Sequence, residues 1–247
     1  MHLVYAQRYA RIPSLEGTNS MDTMDTKILH DLVEHLMPLM TENKQKLCRE
    51  VVTDRTRYLS VVLEDVYQPH NASAIVRSCE LFGVQDLHIV EKTNKYLATS
   101  TAAKGAAKWV DVHKYQTTAA CINQLKADGY RVVATTPHIN DCSLQELPLE
   151  QKTALIFGTE GEGVSQEVCD MADGFVRIPM YGFTQSFNVS VSVAICLYDV
   201  MRRLHGSSIN WRLSEHEQLE LLRRWIHFVS NSAKVGQQKF LENLTAK

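Results

Sequence analysis

Three short segments gather amides, carboxylates, hydroxyls and glycines where apolar runs stop. The first is Pro69-His70-Asn71-Ala72-Ser73-Ala74-Ile75-Val76-Arg77-Ser78. Asn71 is placed to cap a helix, and Arg77, in the second turn after it, lies off the apolar stripe. As structure alone these are a cap and a surface arginine. As chemistry they are an amide and a permanent cation carried on one short helix. The second is Phe157-Gly158-Thr159-Glu160-Gly161-Glu162-Gly163-Val164, an apolar strand running into a loop with three glycines. Glycine allows positive φ and lets a ligand approach backbone closely, as in loops that cradle phosphate. The run matches neither G-x-G-x-x-G nor a P-loop and lacks the Lys-Ser/Thr that grips phosphates, which makes a nucleotide phosphate a poor candidate ligand. Its carboxylates suit balancing a cation or holding a hydroxyl, or they simply face water. The third is Ile178-Pro179-Met180-Tyr181-Gly182-Phe183-Thr184-Gln185-Ser186-Phe187-Asn188-Val189-Ser190-Val191. Here a strand breaks at Pro179 into a loop, and Ser186 is expected to cap an otherwise apolar helix.

The elements that must hold these segments follow from periodicity. Apolar residues at helical spacing over 26–52 predict a helical segment, kinked or split at Pro38. Strands are then expected at 60–66, 87–90, 109–113, 131–135, 153–157 and 175–178. Helices are expected between them at 71–82, 117–128 and 165–172, the first two closed by Gly83 and Gly129 and the third capped by Ser165. This alternation predicts an α/β fold with a parallel sheet covered on both faces, whose loops carry the chemistry. A long helix at 188–204 aligns Val189, Val193, Leu197 and Met201 on one stripe, and Leu219, Leu222, Trp225, Ile226 and Val229 mark a last amphipathic helix. Residues 1–20 show neither period and read as a flexible leader.

Lys and Arg number 26 against 28 Asp and Glu, and a net charge of −2 gives no global attraction to nucleic acid; any RNA binding has to come from local patches. No apolar run approaches the roughly 20 residues that span a bilayer, and nothing reads as a secretory signal. The six cysteines are widely spread without a C-x-x-C pair, which fits reduced thiols in a cytoplasm and no metal site.

In order and spacing the three segments resemble the motifs of the SPOUT methyltransferases, in particular the TrmH branch: N-x-x-A-x-x-R-[ST], G-x-E-x-x-G-[LV] and I-P-M-x-G-x-x-[QS]-S-x-N-V-S-[VA]. The resemblance runs from about residue 57 to 204. It continues between motifs, through Val66-Tyr67-Gln68-Pro69-His70-Asn71, Lys108-Trp109-Val110 and Ala172-Asp173-Gly174. It implies a SPOUT methyltransferase domain over 58–205 with a deep trefoil knot in about 153–205, an exception to the rule against knotted connections. Helical extensions are expected on either side, a basic one over 21–57 and another over 206–247. The resemblance further implies S-adenosylmethionine as methyl donor, bound bent, largely by backbone groups at Thr135, Gly158, Ile178, Met180 and Phe187. It implies a homodimer through the knot region, which would give the stripe of 188–204 a partner.

The implied reaction is 2′-O-methylation of an RNA ribose, with tRNA as partner and the D-loop guanosine at position 18 as target. Ribosomal RNA and the tRNA wobble nucleotide are alternative substrates, and a catalytically silent RNA-binding knot protein is the alternative from another class. The resemblance assigns the central role to Arg77, supported by Asn71, Glu160, Ser186 and Asn188. A guanidinium with a pKa above about 12 rarely gives up its proton. Two readings therefore stand: Arg77 stabilises the forming alkoxide and binds the adjacent phosphate, or a dry site lets it act as the base. His70 is a more conventional base, or a phosphate contact. With His70, the cations Lys44, Lys46, Arg49, Arg55, Arg57, Arg202 and Arg203 are the candidate RNA footprint. Phe187, Asp199 and Ser78 stand where the family commonly has leucine, glutamate and threonine, changes that bear on the adenine pocket and dimer seam more than on the chemistry.

Overall fold

The computed structural model describes residues 24–66, 68–93, 105–137 and 142–245; the leader expected over 1–20 lies outside them. Chain contacts divide the molecule into two units, one formed by Asp54–Leu213 and the other by Met1–Thr53 together with Ser214–Lys247.

The second of these is helical in its described residues. Helix α1, Thr26–Leu36, starts at Asp25, whose carboxylate accepts from the amides of Lys27 and Ile28. Pro38 breaks it into a single tight turn, Met37–Leu39, before α2, Glu42–Val52. The C-terminal segment returns as α7, Glu215–Val229, opened by a Ser214/Glu217 capping box, and α8, Ala233–Thr245. Leu29, Leu32, Val33 and Leu36 of α1 are fully buried, and α1 packs against α7 and α8. The two terminal segments, read separately in the sequence, thus share one core.

The Asp54–Leu213 unit is an α/β sandwich. Its strands are β1 (Leu59–Glu64), β2 (Asp86–Val90), β3 (Asp111–Tyr115), β4 (Arg131–Thr135), β5 (Cys142–Ser143), β6 (Thr153–Phe157) and β7 (Gly174–Arg177). They form one sheet in the order β3-β2-β1-β6-β4-β7-β5, with every pairing parallel. Alternate residues of each strand feed two cores. Leu59, Val61, Leu63, Val133, Leu155 and Phe157 pack beneath α3 (Pro69–Leu81) and α6 (Val189–His205). Val62, Val132, Ala134, Ala154 and Ile156 pack beneath α4 (Thr118–Ala127) and α5 (Gln166–Met171). Burial on both faces is why these strands read as apolar runs. Gly83 ends α3 at φ +77°, and a Cβ there would sit 2.2 Å from the Asp54 carbonyl oxygen.

Three expectations are corrected here. The stripe Val189, Val193, Leu197 and Met201 is buried in the unit's own core, so it cannot meet a second subunit. Arg55 is fully buried and its guanidinium donates to Gln85 Oε1 (2.8 Å) and to the carbonyls of Glu80 (2.9 Å), Val84 (3.2 Å) and Trp109 (2.8 Å). Burial brings its pKa down to about 10, and the group cannot reach RNA. Arg57 is spent on Asp86 (2.6 Å) and Asp111 (2.9 Å), which offset its charge.

Arg57 and Asp86 belong to a polar cluster at the β2/β3 edge. His113 Nε2 lies 2.9 Å from Asp86 Oδ1, and the His113 ring stacks on His88 at 4.7 Å between centroids. His88 is buried, its Nδ1 3.1 Å from Tyr115 Oη and its Nε2 without a partner among the described residues. Burial first, and then the neighbouring His113, push its pKa down to about 4. The unfolded chain takes up that proton near pH 6.5, before the folded chain does. Lowering the pH from about 6.5 to 4 should therefore cost up to roughly 3 kcal/mol of stability through this one group. Urea unfolding of His88→Leu at pH 7 and pH 5 should show a smaller loss than the wild type; equal losses would assign the acid sensitivity elsewhere.

Candidate active site

After β1–β3 run to one side of the sheet, the chain crosses to β4, and β6 later inserts between β1 and β4. Such a reversal opens a crevice at the carboxyl ends of the strands, the usual ligand position in an open α/β sheet. The three chemically distinctive segments all leave the sheet at that end.

From β1 the chain enters α3 with Pro69 at its first position, where a missing N–H costs nothing, so Gln68 and not Asn71 occupies the cap. Asn71 instead lies in the first turn, 1% exposed. Its Nδ2 donates to Gln68 Oε1 and to Glu160 Oε1, each at 2.9 Å. Glu160 comes from the loop after β6. That loop folds back on itself, Thr159 and Gly163 exchanging two backbone hydrogen bonds of 3.0 Å. The return is so tight that a Cβ on Gly158 would lie 1.9 Å from the Gly163 carbonyl oxygen.

From β7 the third segment crosses to α6, which Asn188 and not Ser186 caps. Asn188 Oδ1 accepts from the Ser190 amide (2.9 Å) and hydroxyl (2.6 Å). Its Nδ2 donates to Asn71 Oδ1 at 3.1 Å and, in a short contact, to Glu160 Oε1. Asn71, Glu160 and Asn188 therefore close a triangle in which one carboxylate oxygen gathers two amide donors. With both amide faces committed, each side chain has one orientation. Ser186 is exposed and outside this network.

Arg77 stands about 9 Å further along α3 from Asn71 by helical rise. It is exposed and has no hydrogen-bond or ion-pair partner among the described residues. His70, Ala74, Arg77 and Leu81 share the same exposed stripe. Among the described residues, this leaves a guanidinium with its donor set uncommitted, less than two helical turns from a rigid amide and carboxylate frame.

The candidate cofactor residues lie at the ends of three adjacent strands. Thr135 ends β4, its hydroxyl donating to the Ile156 carbonyl at 2.8 Å, so its side chain has no donor left to offer. Gly158 follows β6 and Ile178 follows β7; Ile178 and Met180 are half-buried, and Phe187 is exposed. Backbone donors and acceptors beside half-buried apolar side chains suit a flat ligand with polar edges.

Sequence reading missed two supporting residues. Gln68 fixes Asn71. Glu64, buried at the end of β1, accepts from Thr118 Oγ1 (2.6 Å), Ser165 Oγ (2.6 Å), the Ser165 amide (2.8 Å) and Lys92 Nζ (2.9 Å). Burial raises the Glu64 pKa, but hydrogen bonds from Ser165, Thr118 and Lys92 outweigh it and hold the carboxyl below its ordinary value. Because Ser165 ends the glycine loop, Glu64 anchors the segment that carries Glu160. A carboxylate closing an otherwise apolar strand was the signal available for it.

The remaining candidate RNA contacts divide. Lys44 is exposed, Lys46 pairs loosely with Glu50 (3.8 Å) and Arg49 tightly with Glu34 (2.8 Å). Arg202 is exposed and touches Asp199 at 3.3 Å. Arg203 turns inward to the carbonyls of Leu144 and Leu147, which removes it from the candidate footprint.

Comparison with known proteins gives the family of the chain. A tRNA (guanosine(18)-2′-O)-methyltransferase of Borreliella burgdorferi is 41% identical over 209 residues, covering 85% of this chain and 94% of the relative. The protein of the same name from Escherichia coli K12 is 34% identical over 181 residues, covering 72% and 79%. The crystal structure of an A. aeolicus TrmH/SpoU tRNA modifying enzyme superposes with a TM-score of 0.68 at 34% identity, covering 75% of this chain and 96% of that one. The profile of the SpoU rRNA Methylase family matches residues 58–198, and with these relatives it establishes that the chain belongs to that family.

Proposed function

We propose that this chain methylates the ribose 2′-hydroxyl of guanosine 18 in the D-loop of tRNA, using S-adenosylmethionine. The observation that carries the reading is the Asn71–Glu160–Asn188 triangle, whose Asn71 lies on the helix that also carries Arg77, which has no partner among the described residues, in a chain whose relatives bear that activity in their names. The strand-end backbone at Thr135, Gly158, Ile178 and Met180, with the Phe187 ring, is the proposed cofactor seat. When bound, the cofactor supplies an electrophilic sulfonium methyl group. The remaining work is positioning the ribose and stabilising its oxygen as the proton leaves.

Asn71 and Asn188, locked by Glu160, fix the walls of the ribose site, and Ser186 offers a free hydroxyl at its rim. Arg77 meets the negative charge. The delocalised, forked guanidinium is suited to pairing with an anion rather than to taking up a proton, which favours its electrostatic role over that of base. His70, on the same stripe, contacts the phosphate, and Lys44, Lys46, Arg49 and Arg202 add positive charge.

The domain organisation follows: residues 58–205 catalyse, with a trefoil knot in about 153–205, and the segments 21–57 and 206–247 are helical extensions that serve RNA. A homodimer is proposed through the outer face of α3 and α6, where Leu81, Val191 and Tyr198 are exposed and the Tyr198 ring meets Phe82 edge-on at 6.5 Å. Among the described residues no helix is long and apolar enough to cross a membrane; action on tRNA, as in the names of the relatives, supports a cytoplasmic site of work for this chain.

Incubation with methyl-labelled cofactor and unmodified total tRNA, followed by mapping of the modified nucleotide, tests the proposal. Label on the guanosine 18 ribose is expected. Label confined to ribosomal RNA would overturn the substrate, and no label on any RNA would leave a binding protein.

A further inference from the structure

Two of the largest apolar side chains in the molecule are wholly in water. Tyr181 is 97% and Phe183 108% exposed, both on the segment that joins β7 to α6. Five residues after Phe183 that segment delivers Asn188 to the Asn71–Glu160–Asn188 triangle. We infer that Tyr181 and Phe183 form the nucleobase subsite, a stacking platform for the base of the nucleotide being methylated. The inference rests on the RNA-ribose reading above.

Three observations select a nucleobase as the occupant. The first is connection: a ribose held beside Asn188 carries its base on a single bond, so whatever surface lies next to the ribose site meets the base. The second is composition. The aromatic rings are followed directly by exposed Thr184, Gln185 and Ser186, which offer hydroxyl and amide groups to a base edge. The proposed subunit face on α3 and α6 sets its one exposed ring, Tyr198, among the aliphatic Leu81 and Val191. The third is charge. From residue 178 to 188 there is no Asp or Glu, and Arg177, exposed at the root of the segment, has no partner among the described residues. Aromatic faces on a neutral loop with a cation at its base are the chemistry of single-stranded nucleic acid sites, where each base stacks on a ring while the backbone lies against positive charge. A target nucleotide unstacked from its RNA to expose the ribose needs such a replacement surface.

The experiment compares wild type, the double variant Tyr181→Ala/Phe183→Ala and Phe183→Trp. Affinity is measured for unmodified tRNA and for the same tRNA with an abasic nucleotide 18, together with cofactor affinity and solution mass. The wild type should bind intact tRNA at least tenfold more tightly than abasic tRNA. The double alanine variant should bind both equally weakly, with cofactor affinity and mass unchanged, because the ring and the base each lose the other. Phe183→Trp should retain affinity, its added indole emission quenched by intact but not by abasic tRNA. Unchanged tRNA affinity in the double variant, with label still placed on guanosine 18 by the wild type, overturns the subsite and leaves the functional reading standing. Loss of cofactor affinity or of dimer mass assigns the rings to those surfaces and equally overturns it. Failure of the wild type to bind or methylate tRNA ends both readings.

Discussion

Replacing Arg77 by alanine should lower kcat for methyl transfer to tRNA by about a hundredfold or more, while cofactor affinity and thermal stability stay at wild-type values. The stability half of this expectation comes from exposure: Arg77 has no partner among the described residues, so its removal strands no buried group. The kinetic half comes from the chemistry of a ribose hydroxyl, whose oxygen gains negative charge as it attacks. Loss of one preorganised donor to such a charge commonly costs on the order of 10²–10³ in rate. Arg77→Lys separates the two roles considered for this residue. A lysine keeps the positive charge and loses the forked donor geometry, so an electrostatic role leaves part of the rate. If Arg77 were the base, the lysine, with its lower pKa, would shift the pH–rate profile toward neutrality. Full activity in Arg77→Ala would remove the residue from the chemistry. His70→Ala, on the same helix stripe, would then be the variant expected to lose rate.

How far the sequence revealed this arrangement depended on what each residue had to satisfy. The strands at 131–135 and 153–157 have the expected bounds because buried β-branched and aliphatic runs stop sharply at polar residues. The strand expected at 109–113 is displaced to Asp111–Tyr115, an edge strand carrying Asp111, His113 and Lys114, whose half-exposed pattern has no apolar run to mark it. Cap assignments failed where two residues competed for one role. Pro69 claims the first helical position and moves the cap to Gln68, and Asn188, two residues past Ser186, takes the cap of α6. Arg55 looked like a surface cation because its acceptors on residues 80, 84, 85 and 109 are distant in the chain and three of the four are backbone carbonyls. The Asn71–Glu160–Asn188 triangle joins residues 89 and 117 positions apart, a distance over which periodicity says nothing. Its members were legible only through the resemblance of three motifs to one family, and Glu64 and Gln68, which lie outside those motif residues, were not.

Gly158→Ala should be the most damaging single methyl group that can be added to this site. Its Cβ would lie 1.9 Å from the Gly163 carbonyl oxygen, 2.1 Å from the Gly163 carbonyl carbon and 2.3 Å from the Val164 nitrogen. All three are backbone atoms, so no side-chain rotation relieves the overlap, and either the end of β6 or the returning turn has to move. Overpacking of this kind costs about 1–3 kcal/mol, which in a unit of this size lowers Tm by several degrees. The functional loss should be larger than the loss of stability, because the turn that moves carries Glu160. Once that carboxylate shifts, Asn71 and Asn188 lose their common acceptor, and a displacement of about 1 Å at a positioning group can cost a hundredfold in rate. We expect cofactor affinity to fall more than tenfold and methyl transfer more than a hundredfold in Gly158→Ala at a temperature where the variant is still folded by circular dichroism. Gly161→Ala in the same loop is the control: a Cβ there meets nothing within 4 Å, so cofactor affinity and rate should remain near wild type. Equal tolerance of alanine at both positions would mean that the close return of the loop onto Gly158 does not govern the site. Damage at Gly158 alone, matched by Glu160→Ala in rate but not in Tm, would show that the glycine acts by holding the carboxylate where the two asparagines converge.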